Sequence, residues 1–211
     1  EPIRKHPPFK NKQGPHSFDL SDSSTQIEYF QLARTSETFF SFLAGPIFKK
    51  EIWEKAEIPE SFRGTCWIVA GHLLPMLSEG IRIKYLGEIF LYKRGENDSF
   101  SDNGLVNRCK IGIENFHHIA NVVFGEHSRE ALHIRRVLHE DVSLYVLLIA
   151  KYKAMLNPEQ ESIEKLKQLV SMHYIDPTLR NFISRFIFFA AHPTVLKIAS
   201  QLKKSLRNIF A

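Results

Sequence analysis

From Gln26 onward the apolar positions fall at helical spacing, at Ile27, Phe30, Leu32 and Ala33. That spacing predicts a helix with one buried face, continuing through Phe39, Phe40, Phe42 and Leu43. Gly45-Pro46 ends it, and residues 47–56 predict a further helical stretch. Trp67, Ile68, Val69, Ala70, Leu73 and Leu74 make the next element apolar nearly all round, which predicts a buried helix. Thr65 is placed to cap its start, and Pro75 to kink or end it.

The period then changes. Ile81-Arg82-Ile83-Lys84-Tyr85 alternates like a strand, and Glu88-Ile89-Phe90-Leu91-Tyr92 follows Gly87, so a hairpin is predicted. Residues 95–104 are polar and read as a loop. Cys109-Lys110-Ile111-Gly112-Ile113 and the run from His118 to Phe124 predict a second antiparallel pair. Beyond Gly125 the helical period returns, over 126–139, 142–156, 159–173, 177–191 and 194–210. Asn157-Pro158, Asp176-Pro177 and His192-Pro193 punctuate these helices.

The expected fold class is therefore α+β: a small antiparallel sheet, a buried helix in the N-terminal half, and a helical C-terminal half. Residues 1–22, rich in proline and ending in a polar run, read as an extended arm that adds little core. Residues 23–125 form an α+β core and residues 126–211 a helical bundle, packed as one globular unit.

Composition narrows the class. The 211 residues are 44% hydrophobic and include 17 Phe, enough for a dense interior and too much for disorder. The run from Phe186 to Ala191 falls far short of the ~20 apolar residues of a transmembrane helix. The charged, proline-rich start predicts no signal peptide. Cys66 and Cys109 could form at most one bridge and neither lies in a CxxC pair, so a reducing cytoplasm, of a cell or of a host, is the expected compartment.

Net charge is +5, distributed as +2 over residues 1–20, −3 over 21–150 and +6 over 151–211. The predicted last helix carries Lys197, Lys203, Lys204 and Arg207 beside an apolar stripe. It could meet an acidic protein or an anionic membrane, or close the bundle as a lid. Nucleic acid is not an expected partner. His127, His133 and His139, six apart, do not share a helix face, and no HExxH or cysteine cluster occurs. Phosphate-loop and dinucleotide patterns are absent. Neither a metal nor a cofactor is expected.

One tetrapeptide carries candidate chemistry. Gly64-Thr65-Cys66-Trp67 would put a thiol at the positive end of a helix dipole, which favours the thiolate. Backbone N–H groups there could hold an oxyanion, and Gly64 would admit a substrate carbonyl. The segment Gly64-Thr65-Cys66-Trp67-Ile68-Val69-Ala70 resembles the Gly-x-Cys-Trp-x-x-Ala segment of the papain-like and transglutaminase-like cysteine enzymes. His118-Ile119-Ala120-Asn121 resembles that superfamily's His-x-x-Asn strand.

The resemblance implies Cys66 as nucleophile, His118 as general base, and Asp141, or else Asp176, as the residue orienting the imidazole. It implies a hydrolase or acyl transferase acting on a protein amide, as protease, deamidase or transglutaminase. Glu60 stands where papain-like enzymes place an oxyanion-hole Gln, and its carboxylate would repel an oxyanion. Each residue also has a plainer reading. Gly-Thr-Cys-Trp can be a capped core helix, His118 a core histidine with His117 facing outward, and Asp141 and Asp176 helix N-caps. Cys109 reads as structural. The alternative function is a non-enzymatic, mostly helical protein-interaction module, for example a secreted bacterial or viral factor binding a host protein.

Overall fold

Asp22 opens the first helix, α1 (Ser23–Leu32), in a computed structural model that describes residues 7–11, 14–42, 44–88, 103–158, 162–192, 194 and 197. Its carboxylate accepts from the Ser24 hydroxyl at 2.5 Å and the Thr25 N–H at 2.8 Å. These contacts hold the Asp22 carboxyl below its ordinary range and satisfy an orphan donor of the helix start. Ser143, Ser162 and Thr178 cap α6 (Leu144–Leu156), α7 (Ile163–His173) and α8 (Leu179–Ala190) in the same way. Asp141 and Asp176 are therefore not N-caps.

The described residues are mostly helical with one small antiparallel sheet, an α+β fold. They divide into two compact units, residues 1–98 with 115–141, and residues 99–114 with 142–211. The first unit holds β1 (His16–Asp19), α1, α2 (Lys50–Lys55), α3 (Ile68–Ser78), β2 (Arg82–Tyr85), residues 115–124 of α4 (Gly104–Phe124) and α5 (Arg129–Asp141). Short 3-10 turns occupy Ser36–Phe39 and Glu60–Phe62.

Strand β2 forms where the alternation predicted one, but its partner differs. It pairs with β1, His16 opposite Tyr85 and Asp19 opposite Arg82. Of the expected partner 88–92, only Glu88 is described, and it lies outside any strand. The arm is thus built into the fold. Phe9, Phe18 and Leu20 are buried, Lys10 N–H donates to Leu32 O at 2.8 Å, and Arg34 N–H to Pro8 O at 2.7 Å. Four residues of alternation, His16 to Asp19, were too few to announce a strand.

The core of this unit is aromatic. The Phe18 ring meets Phe9 at 5.0 Å and Tyr29, edge to face, at 5.1 Å; Phe30 stacks on Phe39 at 5.7 Å. Such pairs add to the burial of their area. The Tyr29 hydroxyl, buried with them, donates to Thr38 O, and burial raises its pKa.

The predicted second strand pair, 109–113 with 118–124, is instead the single 21-residue helix α4. Val106, Cys109, Ile113, Phe116 and Ala120 are all buried, and their spacing of three and four defines one helix face. Burial along that stripe outweighs the β-propensity of the isoleucine and valine positions. Pro75 likewise sits inside α3, which continues to Ser78.

The second unit packs residues 104–114 of α4 with α6, α7 and α8 around Cys109, Ile113, Leu147, Leu166, Leu169, Val170 and Phe188. Cys109 is buried and structural in position. The predicted helix 194–210 lies outside the described residues except for Thr194 and Lys197.

Close packing is sharpest at Gly71, where an added Cβ would stand 2.6 Å from the Phe62 ring. Gly71→Ala is expected to cost about 1–3 kcal/mol despite its better helix propensity. Urea unfolding measures this, and Phe62→Leu should recover part of the loss. A stabilised Gly71→Ala would contradict the packing.

Candidate functional site

The thiol segment begins at a turn that only glycine favours: Gly64 has φ +78° and no heavy atom within 4 Å of where a Cβ would lie. Its presence is explained by the backbone, without a substrate. The Thr65 hydroxyl donates back to Phe62 O at 2.8 Å, so it closes this turn instead of capping the helix. Helix α3 starts at Ile68 with Trp67 as its N-cap residue and no side-chain cap bond. Cys66 consequently lies ahead of the helix, exposed in the turn, and not at the first turn of a buried helix. Two ring contacts hold the segment against α4: Trp67 meets Phe116 at 5.0 Å and Phe62 meets His118 edge-on at 5.4 Å.

His118 is on the exposed side of α4, and its neighbour His117 is buried, the reverse of the strand expectation. The reversal follows from the period. In a helix residue 117 shares the face of 113 and 120, whereas 118 points away. Among the described residues no hydrogen bond joins Cys66 to His118.

Asp141 is the last residue of α5, and its carboxylate accepts the Ser36 N–H at 3.1 Å. It thereby satisfies the start of the 3-10 turn Ser36–Phe39, which lacks a side-chain cap of its own. Burial pushes the Asp141 carboxyl above its ordinary range, against the Ser36 hydrogen bonds, with Glu37 and Glu140 adding to the rise. Asp176, in the other unit, offers its backbone carbonyl to Asn181 Nδ2 at 3.0 Å. Glu60 forms an exposed ion pair with Arg63 at 3.0 Å. The structure thus assembles neither candidate triad through hydrogen bonds.

A cleft of about 260 Å³ lies in the first unit, lined by Ile27, Phe30, Gln31, Arg129, Glu130 and His133. Burial lowers the pKa of His133, and the Arg136 charge adds to the shift. Cys66 and His118 do not line this cleft. Among the described residues no group of three His, Cys, Asp or Glu could hold a metal ion, and no helix is long and apolar enough to cross a membrane.

The feature that sequence reasoning missed is the outer face of α8. Leu179 is 76% exposed, Phe182 69% and Phe186 66%, with Ile183, Ile187 and Phe189 also exposed. Only Asn181 and Phe188 of this helix are buried. At 3.6 residues per turn the exposed apolar side chains span an arc of roughly 160° whose centre faces away from the buried pair. Arg180 and Arg185, both exposed, border the arc on either side. The helical spacing over 177–191 predicts a bundle helix and does not say which of its faces stays uncovered. The signal that could have exposed it is charge: no Asp or Glu occurs from Pro177 to Ala211, against six Lys and Arg.

One end of α8 is fixed by Lys151. Its ammonium donates to Phe188 O at 2.8 Å and Ala191 O at 2.9 Å and stands 5.1 Å from the Phe188 ring centre. Lys151 is only 8% exposed, and burial lowers its pKa.

Two expectations follow from the thiol region. His118→Ala should change the alkylation rate of Cys66 by less than about twofold, because no hydrogen bond couples them; a roughly tenfold fall would restore His118 as a base. Asp141→Asn keeps an oxygen for Ser36 and removes the charge. The folded carboxyl holds its proton to a higher pH than the unfolded one, so its stabilising protonated form is complete below the ordinary value of 3.8 and is lost as pH rises through the folded pKa. The Asn variant should therefore unfold at a higher temperature than the wild type at pH 7, the gap narrowing towards pH 4. A less stable Asn variant at pH 7 would show that the charge itself is needed. A scan against protein-family models and searches of curated proteins and of solved structures each find no match for this chain.

Proposed function

We propose that this chain is a non-enzymatic helical binding module whose working surface is the outer face of α8. The observation that carries the reading is the exposure of Leu179, Phe182 and Phe186, at 66% or more, on one helix of a packed unit. Water contact with side chains of that size is costly, and contiguous apolar patches of this kind mark interaction sites. The charge pattern states the chemistry of the occupant. With Arg180 and Arg185 on both borders and no acid in the helix, the complementary surface is apolar at its centre and negatively charged around it.

The thiol reading has less support. A cysteine nucleophile needs a base within hydrogen-bond reach and a third group orienting that base. Cys66 is exposed without such a bond, and Asp141 is engaged by Ser36. The turn-forming Gly64 and the ring contacts of Phe62 and Trp67 account for the tetrapeptide as local structure.

The module reading requires the α8 face to be free in the folded chain. The double variant Phe182→Ser/Phe186→Ser should then melt within about 2 °C of the wild type, since such positions lose no packing. Its binding of an apolar fluorescent dye should fall. A loss of about 3 kcal/mol or more, as for a core phenylalanine, would mean that the chain already covers these rings, and would overturn the proposal.

A further inference from the structure

We infer that α8 is an interfacial helix that lies along the surface of an anionic lipid bilayer. The inference rests on the free α8 face and identifies its occupant. The apolar arc is broad and turned directly away from Asn181 and Phe188, the two side chains that α8 buries. A face of that form is a convex ridge, which a planar boundary accepts without a preformed groove. Three of its side chains, Phe182, Phe186 and Phe189, are aromatic, the type that settles between headgroups and acyl chains. Arg180 and Arg185 lie one on each side. Their stems can run along the apolar zone while the guanidinium groups remain at the headgroups.

Length and charge agree with a helix lying in the plane of the surface. Twelve residues extend about 18 Å, too short to cross a hydrocarbon core of ~30 Å. From residue 177 to 211 the chain holds six Lys and Arg and no Asp or Glu. Anionic lipid attracts such a basic segment. Charge also weighs against two other occupants. A second copy of α8 would bring Arg180 and Arg185 against their own equivalents. The segment 194–210 of the same chain would bring Lys197, Lys203, Lys204 and Arg207 against them.

The test is co-sedimentation of the full chain with vesicles of phosphatidylcholine alone and of phosphatidylcholine with phosphatidylserine. The wild type should bind the phosphatidylserine vesicles preferentially, and less as salt shortens the Debye length below ~10 Å. Phe182→Ser/Phe186→Ser should weaken that binding by about tenfold. Arg180→Glu/Arg185→Glu should abolish the preference for anionic lipid while leaving the apolar rings in place. Circular dichroism of each variant establishes that it is folded.

Absence of vesicle binding overturns the inference. If the serine variant nevertheless melts like the wild type, the α8 face remains free and only its lipid assignment fails. Vesicle binding that both variants retain also overturns it, because the bilayer would then be met elsewhere. An acidic amphipathic peptide that binds the α8 face while vesicles do not would replace the lipid with a protein partner.

Discussion

A helix that ends inside a protein leaves its last carbonyls without partners, and burying them unpaired costs ~1–3 kcal/mol each. In this chain, donors from other elements repeatedly meet that requirement. Arg136 reaches Phe30 O at 3.0 Å and Ala33 O at 2.8 Å at the end of α1. His72 Nε2–H donates to Trp53 O in α2, and Gln26 Nε2–H to Leu77 O in α3. In the second unit His173 Nε2–H donates to Val142 O just beyond α5, and Lys151 closes the end of α8. The cationic members of this set also sit at the negative ends of helix dipoles, where their charge is most favourable. Because each donor comes from a distant stretch of sequence, each bond also fixes where two elements meet.

The same constraint explains how α8 can present so much apolar surface. Its packed side is narrow, with Asn181 bound to Asp176 O and Phe188 inserted in the core. Burial of one phenylalanine would hold a helix weakly. The Lys151 bonds to Phe188 O and Ala191 O fasten its C-terminal end, while the Thr178 cap fastens its start. Held at both ends, the helix can leave the arc through Leu179, Phe182 and Phe186 in water.

How much of this was legible varies with the physics involved. The four helices between Arg129 and Ala190 were read closely, because their 3.6-residue period is long and proline marks several of their boundaries. Strand β2 was read from its alternation, but its partner was not. Pairing between Asp19 and Arg82 is a long-range choice with no local signature. Helix α4 was misread because residues 109–113 alternate and residues 118–124 are rich in β-branched types, whereas the deciding factor was burial along Cys109, Ile113, Phe116 and Ala120. At the candidate site, Gly-Thr-Cys-Trp resembled a nucleophile's setting through residue types alone. The left-handed turn at Gly64 and the Thr65 bond to Phe62 O account for Gly64 and Thr65 as local structure. Buried Lys151 and half-buried Arg136 were invisible as caps, since sequence counts them among solvated charges.

The central claim is that buried basic side chains hold the helix ends in place, and Lys151 tests it most directly. Amide hydrogen exchange in the last turn of α8, followed at Phe189, Ala190 and Ala191, compares the wild type with Lys151→Met, which keeps the apolar stem and removes the donor. Loss of bonds worth about 1–3 kcal/mol predicts that these amides exchange roughly 10- to 100-fold faster, while amides early in α5, in the other unit, keep their rates. Unchanged protection at Ala191 in the methionine variant would contradict the account.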